Sequence, residues 1–256
     1  MDINILNALH LEDINNSAHP SAFFEGHGYK ILIYRLFKSD IDSLEVVSYP
    51  FILIDGGIYA YDREKKSTSK IEDFTSFYNI IDTFVDQSMQ KVESYVEKVE
   101  ELEEKIHENL SAIQDWVVYK KELVRMERIL AQAVKIHQYF ITKTDTIKED
   151  KHLFAGFEDI EEHLSRIYRV CGINIIKLDS IYSLYSTLSN EKMNTTMYIL
   201  TIISAIFLPL NLLVGFFGMN TEGMFFSGNQ SATLYVSAIL IALFVGLYTY
   251  FIKFKR

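Results

Sequence analysis

The sequence predicts an α/β N-terminal cytoplasmic domain, then a long helical hairpin and stalk helix, then two C-terminal transmembrane helices in each subunit. Three observations carry this. Residues 193–221 and 223–252 contain no charged side chain, with only Glu222 between them and Lys253 closing the second stretch. Apolar residues step by three and four through residues 92–113, with glutamates on the intervening positions. Residues 1–70 show short apolar runs broken by turn residues instead.

In residues 1–70, Lys30–Phe37, Leu44–Ile54 and Ile58–Tyr61 read as strands rich in Ile, Val, Tyr and Phe,. Lys38-Ser39-Asp40 separates the first pair, and Asp55-Gly56-Gly57 predicts a hairpin between the second,. Residues 71–150 read as acidic, coiled-coil-like helical arms. Val92, Val96, Val99, Leu102 (or Glu103), Ile106, Leu110 and Ile113 line one face, with Glu93, Glu97, Glu100, Glu101 and Glu104 on the others,. The second arm runs through Leu123, Leu130 and Val134 to about Thr142, and residues 144–151 form a polar linker. From Leu153 no strong helix breaker intervenes, so residues 151–196 are expected to be the cytoplasmic part of a stalk that continues into the bilayer.

The first membrane span is placed at Met197–Phe217, the second at Ala232–Ile252, with an external loop at 218–231 and a basic tail at 253–256. Each uncharged stretch can hold the roughly 20 apolar residues that cross about 30 Å of hydrocarbon. Two spans with a short loop put both chain ends on one side. Lys253, Lys255 and Arg256 directly follow the second span, which places that side in the cytoplasm,. Residues 1–30 lack a basic segment followed by an apolar core, so no signal peptide is expected,.

The formal net charge is −9, and almost all charge precedes residue 193. An acidic domain argues against nucleic acid or an anionic lipid surface as a partner, and it can concentrate cations. Cys171 is the single cysteine, which excludes an intramolecular disulfide and a cysteine zinc cluster and leaves a packing role,.

Asn194, Met197, Thr201, Ser204, Leu208, Asn211 and Gly215 follow one another by three or four and share one helix face,. The stripe has two readings. It lines a water path built from several copies of the chain, because one helix cannot enclose water; or it packs against a neighbouring helix, with Asn211 hydrogen-bonding across.

Gly218-Met219-Asn220 closes the first span, and a two-span chain with this triplet and a short loop resembles the CorA family of divalent-cation channels, in the wider two-span superfamily that includes ZntB. Ser189-Asn190, Met193-Asn194, Met197, Leu200-Thr201-Ile202-Ile203, Ile206-Phe207-Leu208-Pro209-Leu210 and Gly215 resemble its stalk end and pore helix. Leu11-Glu12-Asp13-Ile14 with His19-Pro20 resembles its N-terminal signature, and Val99-Glu100-Glu101-Leu102-Glu103-Glu104 its acidic arm.

The resemblance implies a funnel-shaped homopentamer in a bacterial-type inner (plasma) membrane, with Gly218, Met219 and Asn220 as selectivity filter and the seven-residue stripe as pore lining. It implies Mg²⁺ as the transported and regulatory ion, no prosthetic group, and passive flow driven by membrane potential. Co²⁺, Ni²⁺ and Zn²⁺ are further candidate cargoes. Neutral amides suit a hydrated ion that holds its waters tightly. Asp40, after an early strand, and Asp159, on the stalk, resemble positions that share a regulatory metal holding the pore shut. Departures also occur. Thr221-Glu222-Gly223-Met224-Phe225-Phe226 keeps the acid Glu222 of the family's external loop but lacks the later proline and second glutamate, and Asn211 stands where threonine is common.

Two other functions stay open: a ZntB-like Zn²⁺ carrier coupled to protons, and a membrane-anchored scaffold or sensor that conducts nothing. All seven histidines (His10, His19, His27, His107, His137, His152, His163) lie outside the spans, which favours Mg²⁺ over a proton-coupled carrier. No Ser/His/Asp grouping, His-Glu-x-x-His run or phosphate loop supports an enzyme.

Overall fold

The computed structural model describes residues 5–39, 44–54, 57–108, 110–218 and 232–254. The chain divides into two units, Met1–Tyr185 and Ser186–Arg256.

The first unit is built on an antiparallel meander of β1 (Ala22–Gly26), β2 (Tyr29–Phe37), β3 (Val46–Ile54), β4 (Gly57–Asp62) and β5 (Ser67–Ile71), in that spatial order. The three runs expected from sequence are the central strands. The sequence pattern missed the two edge strands for a physical reason. β1 is five residues long, and β5, Ser-Thr-Ser-Lys-Ile, buries only Ile71, so neither shows a hydrophobic period. The β1–β2 hairpin turns at His27-Gly28, where Gly28 has φ +80°, and a Cβ on Gly26 would lie 2.3 Å from the Tyr29 ring,. In the predicted β3–β4 hairpin Ile54 pairs with Gly57, while Asp55 and Gly56 lie outside the described residues.

β2 is apolar almost without alternation because both its faces are covered,. On one face Ile31, Ile33 and Ile52 pack with Ile14 of α1 (Ala8–Asn15), together with Leu6, Tyr29 and Tyr61. Hydrogen bonds hold α1 there: the Asn7 backbone N–H donates to the Tyr29 hydroxyl (3.0 Å), and Arg63 Nε donates to the Ile14 carbonyl (2.6 Å). Leu32 and Phe51 face the other way, where Phe51, Phe77, Phe140 and Phe157 gather with ring centroids 5.0–6.1 Å apart in successive contacts,. Phe51 belongs to β3, and Phe77, Phe140 and Phe157 come from α2 (Phe74–Glu108), α3 (Gln114–Lys143) and α5 (Lys151–Gly218), so the sheet and the three helices share one core.

In the acidic part of α2, from Val92 on, Val92, Tyr95, Val99, Leu102 and Ile106 are buried, Val96 is half-buried, and Glu93, Glu97, Glu100, Glu101 and Glu104 are exposed. Leu102 rather than Glu103 takes the core position. A 3₁₀ turn at Leu110–Ile113 joins the arms, and the expected polar linker contains a short helix, α4 (Asp145–Glu149), with Ile147 buried. Cys171 is fully buried, and burial, with the nearby Glu127 charge, pushes its thiol up to about 12, as expected of a packing residue,.

In the second unit α5 runs to Gly218 with Pro209 inside it, and α6 spans Ala232–Phe254. Both expected spans fall within these helices. α5 is 68 residues long and runs without a break through the expected cytoplasmic stalk and first span. Lys255 and Arg256 of the predicted basic tail lie outside the described residues.

His137 ties the sheet to two helices. Its Nε2 lies 2.8 Å from the Phe157 carbonyl, which can only accept, so Nε2 carries the proton and Nδ1 accepts from the Tyr34 hydroxyl,. Complete burial drives its pKa down from 6.5 to about 4, opposed only by the Phe157 carbonyl,. The unfolded chain therefore takes up a proton before the folded chain does, and stability falls as pH drops from about 6.5 to about 4. The loss is about 3 kcal/mol at most. Denaturant titrations at pH 7.5 and 4.5 should show this loss in the native protein, and a much smaller one in the Tyr34→Phe/His137→Leu double variant.

Candidate functional site

Within the second unit the candidate site begins with the α5 face. Asn194, Met197, Thr201, Ser204, Leu208, Asn211 and Gly215 are all exposed, Leu208 to 69%. Between residues 191 and 216 the shielded positions are Ile202, Ala205, Ile206, Pro209, Leu210 and Leu213. At about 100° per residue these two sets occupy nearly opposite sides of the helix. Leu210 and Val214 line a cavity of about 300 Å³ with Ile241 and Phe244 of α6, so α6 flanks that part of α5. The Thr201 hydroxyl donates to the Met197 carbonyl (2.8 Å), which satisfies it within the helix,. Pro209 has no N–H to give the Ala205 carbonyl, which adds a polar atom to an apolar segment,.

Gly218 ends α5 and is exposed. Met219, Asn220 and Glu222 lie outside the described residues.

In the first unit, Asp159 projects from α5 with its Oδ1 3.8 Å from His163 Nε2, one helical turn on. His163 meets Asp82 and Asp86 of α2, with one ligand atom from each within 4.8 Å of the others. Burial, then the charge of Asp86, holds the Asp82 carboxyl above its ordinary value; Asp159 adds to this and His163 opposes it,. The Tyr78 hydroxyl is raised by burial and then by Asp82, Asp159 and Asp86. Gly156 admits the Tyr78 ring, since a Cβ there would lie 3.0 Å from it.

Two carboxylates and an imidazole are a donor set for a divalent cation, and the buried His163 Nδ1 has no hydrogen-bond partner among the described residues. With the three donor atoms all within 4.8 Å of one another, the group is compact enough to share one divalent cation, directly or through its waters,. Asp40, the other residue expected at a regulatory metal, lies outside the described residues. The sequence reading missed Asp82, Asp86 and His163. The available signal was a pair of i,i+4 couples, Asp82/Asp86 and Asp159/His163, each on one helix face,.

An α/β unit packed with a helical hairpin, together with a helix whose apolar end is long enough to cross a membrane, is the architecture of a protein with a large folded domain and a candidate membrane span. Residues 48–256 match the family described as CorA-like Mg²⁺ transporter protein, and the chain belongs to that family, whose members are ion transporters or channels and not enzymes. A protein of Bacillus subtilis (strain 168) named "Putative metal ion transporter YfjQ" is 32% identical over 114 residues, which are 44% of this chain and only 36% of that protein's length. The complete CorA magnesium transporter of Methanocaldococcus jannaschii superposes with a TM-score of 0.81 at 16% identity, covering 97% of this chain and 83% of that one. The ZntB cytoplasmic domain of Vibrio parahaemolyticus superposes with a TM-score of 0.57 at 11% identity, covering 73% of this chain and 81% of that one. At these identities the structural likeness is one of fold.

The raised Asp82 carboxyl costs stability while it is ionised. In EDTA at pH 7.5, Asp82→Asn should stabilise the chain by a few tenths to about 1 kcal/mol, the usual scale for exposed charge pairs. The gain should vanish below the ordinary carboxyl range, where Asp82 is protonated in either state. Added Co²⁺ should raise the thermal midpoint of the native chain more than that of the variant.

Proposed function

We propose that this chain is a passive, membrane-potential-driven channel for divalent cations, with Mg²⁺ as cargo. Several copies, five by resemblance, turn the Asn194-to-Gly215 stripe toward a common axis. The Asn220 amides ring the mouth and select the hydrated ion, and Glu222 lies in the external loop. The observation that carries this is the placement of every polar or small residue of the stripe on the exposed side of α5, away from the shielded positions. In hydrocarbon such a side must meet protein or water. A dication moving down 100 mV releases about 4.6 kcal/mol, which suffices without a coupled reaction.

Closure follows from an intracellular divalent cation shared by acids of the soluble unit, Asp159 with Asp40. Asp159 and Asp86 both oppose ionisation of Asp82, so these acids form one negative patch.

A Zn²⁺ carrier coupled to protons is the second reading, favoured by one observation. An imidazole, His163, sits among the acids, and imidazole is a ligand of Zn²⁺ or Co²⁺ rather than Mg²⁺,. Purified chain in liposomes separates the readings. Mg²⁺ entry driven by voltage alone supports the channel, Zn²⁺ entry that requires a proton gradient supports the carrier, and no flux at all leaves a scaffold.

Pore variants should follow the helix face. Asn211→Leu should cut Mg²⁺ flux by roughly tenfold or more, about 1.4 kcal/mol on the barrier, while Leu213→Ala on the shielded side should change it by less than about twofold. Equal effects of the two would remove the stripe from the pore. The Asp40→Asn/Asp159→Asn pair should keep conducting at high internal Mg²⁺ where the native chain closes.

A further inference from the structure

In an acidic unit, three arginines surround one cavity of about 350 Å³. Arg35 comes from β2, and Arg125 and Arg128 lie one turn apart on α3. The frame beneath them is fixed. Ser21, only 1% exposed, accepts the Arg35 backbone N–H on its hydroxyl (2.9 Å), and its carbonyl accepts from Gln132 Nε2 (3.2 Å). Ile129, also buried, contributes an apolar wall.

The charges are poorly matched. Arg35 Nε is buried with no hydrogen-bond partner, and among the described residues neither Arg35 nor Arg128 forms an ion pair. Arg125 has one acid, Glu122, at 3.7 Å and from its own helix. Burial, and then Arg125 and Arg128, lowers the Arg35 pKa, so the three cations repel where they meet. Surface arginines usually relax into solvent or find carboxylates; here a strand and a helix anchored at Ser21 hold the guanidinium groups around a concavity.

We propose that the pocket formed by Arg35, Arg125, Arg128 and the Ser21–Gln132 frame binds a small soluble phosphate compound. Guanidinium forks present paired N–H donors that match phosphate oxygens, and buried donors without partners gain most from such an acceptor. The cavity sits at the small end of the roughly 300–1,000 Å³ that accommodates small molecules, so it takes a di- or triphosphate group and not a polymer. A single carboxylate from a second copy of the chain would leave two of the three charges unmatched. This site is separate from the ion path and from the Asp82–His163 cluster, and it stands whether or not the channel reading does.

The test uses the full chain in detergent micelles with EDTA present, so that metal sites take no part, and inorganic pyrophosphate as probe in isothermal titration calorimetry. The expected result is saturable binding, one per chain, at submillimolar concentration and low salt, weakening as salt rises. Arg128→Gln, on the exposed face of α3, should weaken it at least tenfold with an unchanged unfolding midpoint, and Arg35→Gln should do the same; Arg166→Gln, elsewhere on the surface, should not. Absence of saturable binding up to 10 mM, or binding indifferent to both pocket substitutions, overturns the proposal. So does a native chain that ignores pyrophosphate while Arg128→Gln lowers the oligomer mass, which would mean that an acid of a second copy fills the pocket.

Discussion

A polar atom in hydrocarbon has to find a partner, and that constraint governs the meaning of the second unit. Along the apolar end of α5, Asn194, Thr201, Ser204 and Asn211 lie on the exposed side, and the segment keeps Pro209, which has no N–H to offer the Ala205 carbonyl,. Thr201 satisfies its own hydroxyl through the Met197 carbonyl, but an asparagine amide has too many donors and acceptors for one helix to absorb,. Residues from Ile202 to Leu213 that are shielded lie on the other side. In a membrane the stripe is best satisfied by partners outside the helix, and copies of the chain enclosing water are the arrangement proposed above. The inferred pore is a consequence of that requirement as much as of family membership.

Much of the fold was legible because periodicity is visible wherever burial is one-sided. The glutamates of α2 alternate with Val92, Val99, Leu102 and Ile106, so the arm announces itself. β2 and β3 were readable as apolar runs bounded by turns. β1 and β5 were not, since an edge strand with little buried surface has no pattern to show. His137 was equally hidden: nothing in its sequence neighbourhood says that it will be fully buried between a tyrosine from β2 and a carbonyl from α5. The candidate sites divide in the same way. The stripe on α5 is a local pattern on one helix and was read directly, whereas the Asp82–Asp86–His163 grouping and the arginine pocket each join distant segments, and only the tertiary fold brings them together.

Charge in the first unit is arranged less uniformly than its total suggests. Most acids on α2 are solvated on the outer face, where repulsion is weak and screened,. At Asp82 the balance differs, because burial, Asp86 and Asp159 all oppose ionisation and only His163 favours it. At Arg35 the sign is reversed and the geometry similar: two like charges approach a partly desolvated group that has no counterion among the described residues. Both clusters spend folding stability, and a bound ion of opposite sign would recover it in each case.

The spacing at the acidic cluster bears on how such a protein would handle its ion. The donors of the acidic cluster lie within 4.8 Å of one another, close enough to share one ion or its hydration shell, and the proposed filter offers neutral amides,. Such a filter does not ask Mg²⁺ to give up its water, the step that ion resists most. Contacts through water are weak singly, so a sensor built from them changes occupancy over the concentrations at which free Mg²⁺ is abundant, and a filter built from them releases what it selects. His163 is the element that does not fit a purely magnesium sensor, because an imidazole gains little from a hydrated Mg²⁺ and much from a transition metal that accepts nitrogen. The ion that closes the path and the ion that travels it therefore need not be the same, and the chemistry of the donors separates them where the fold does not.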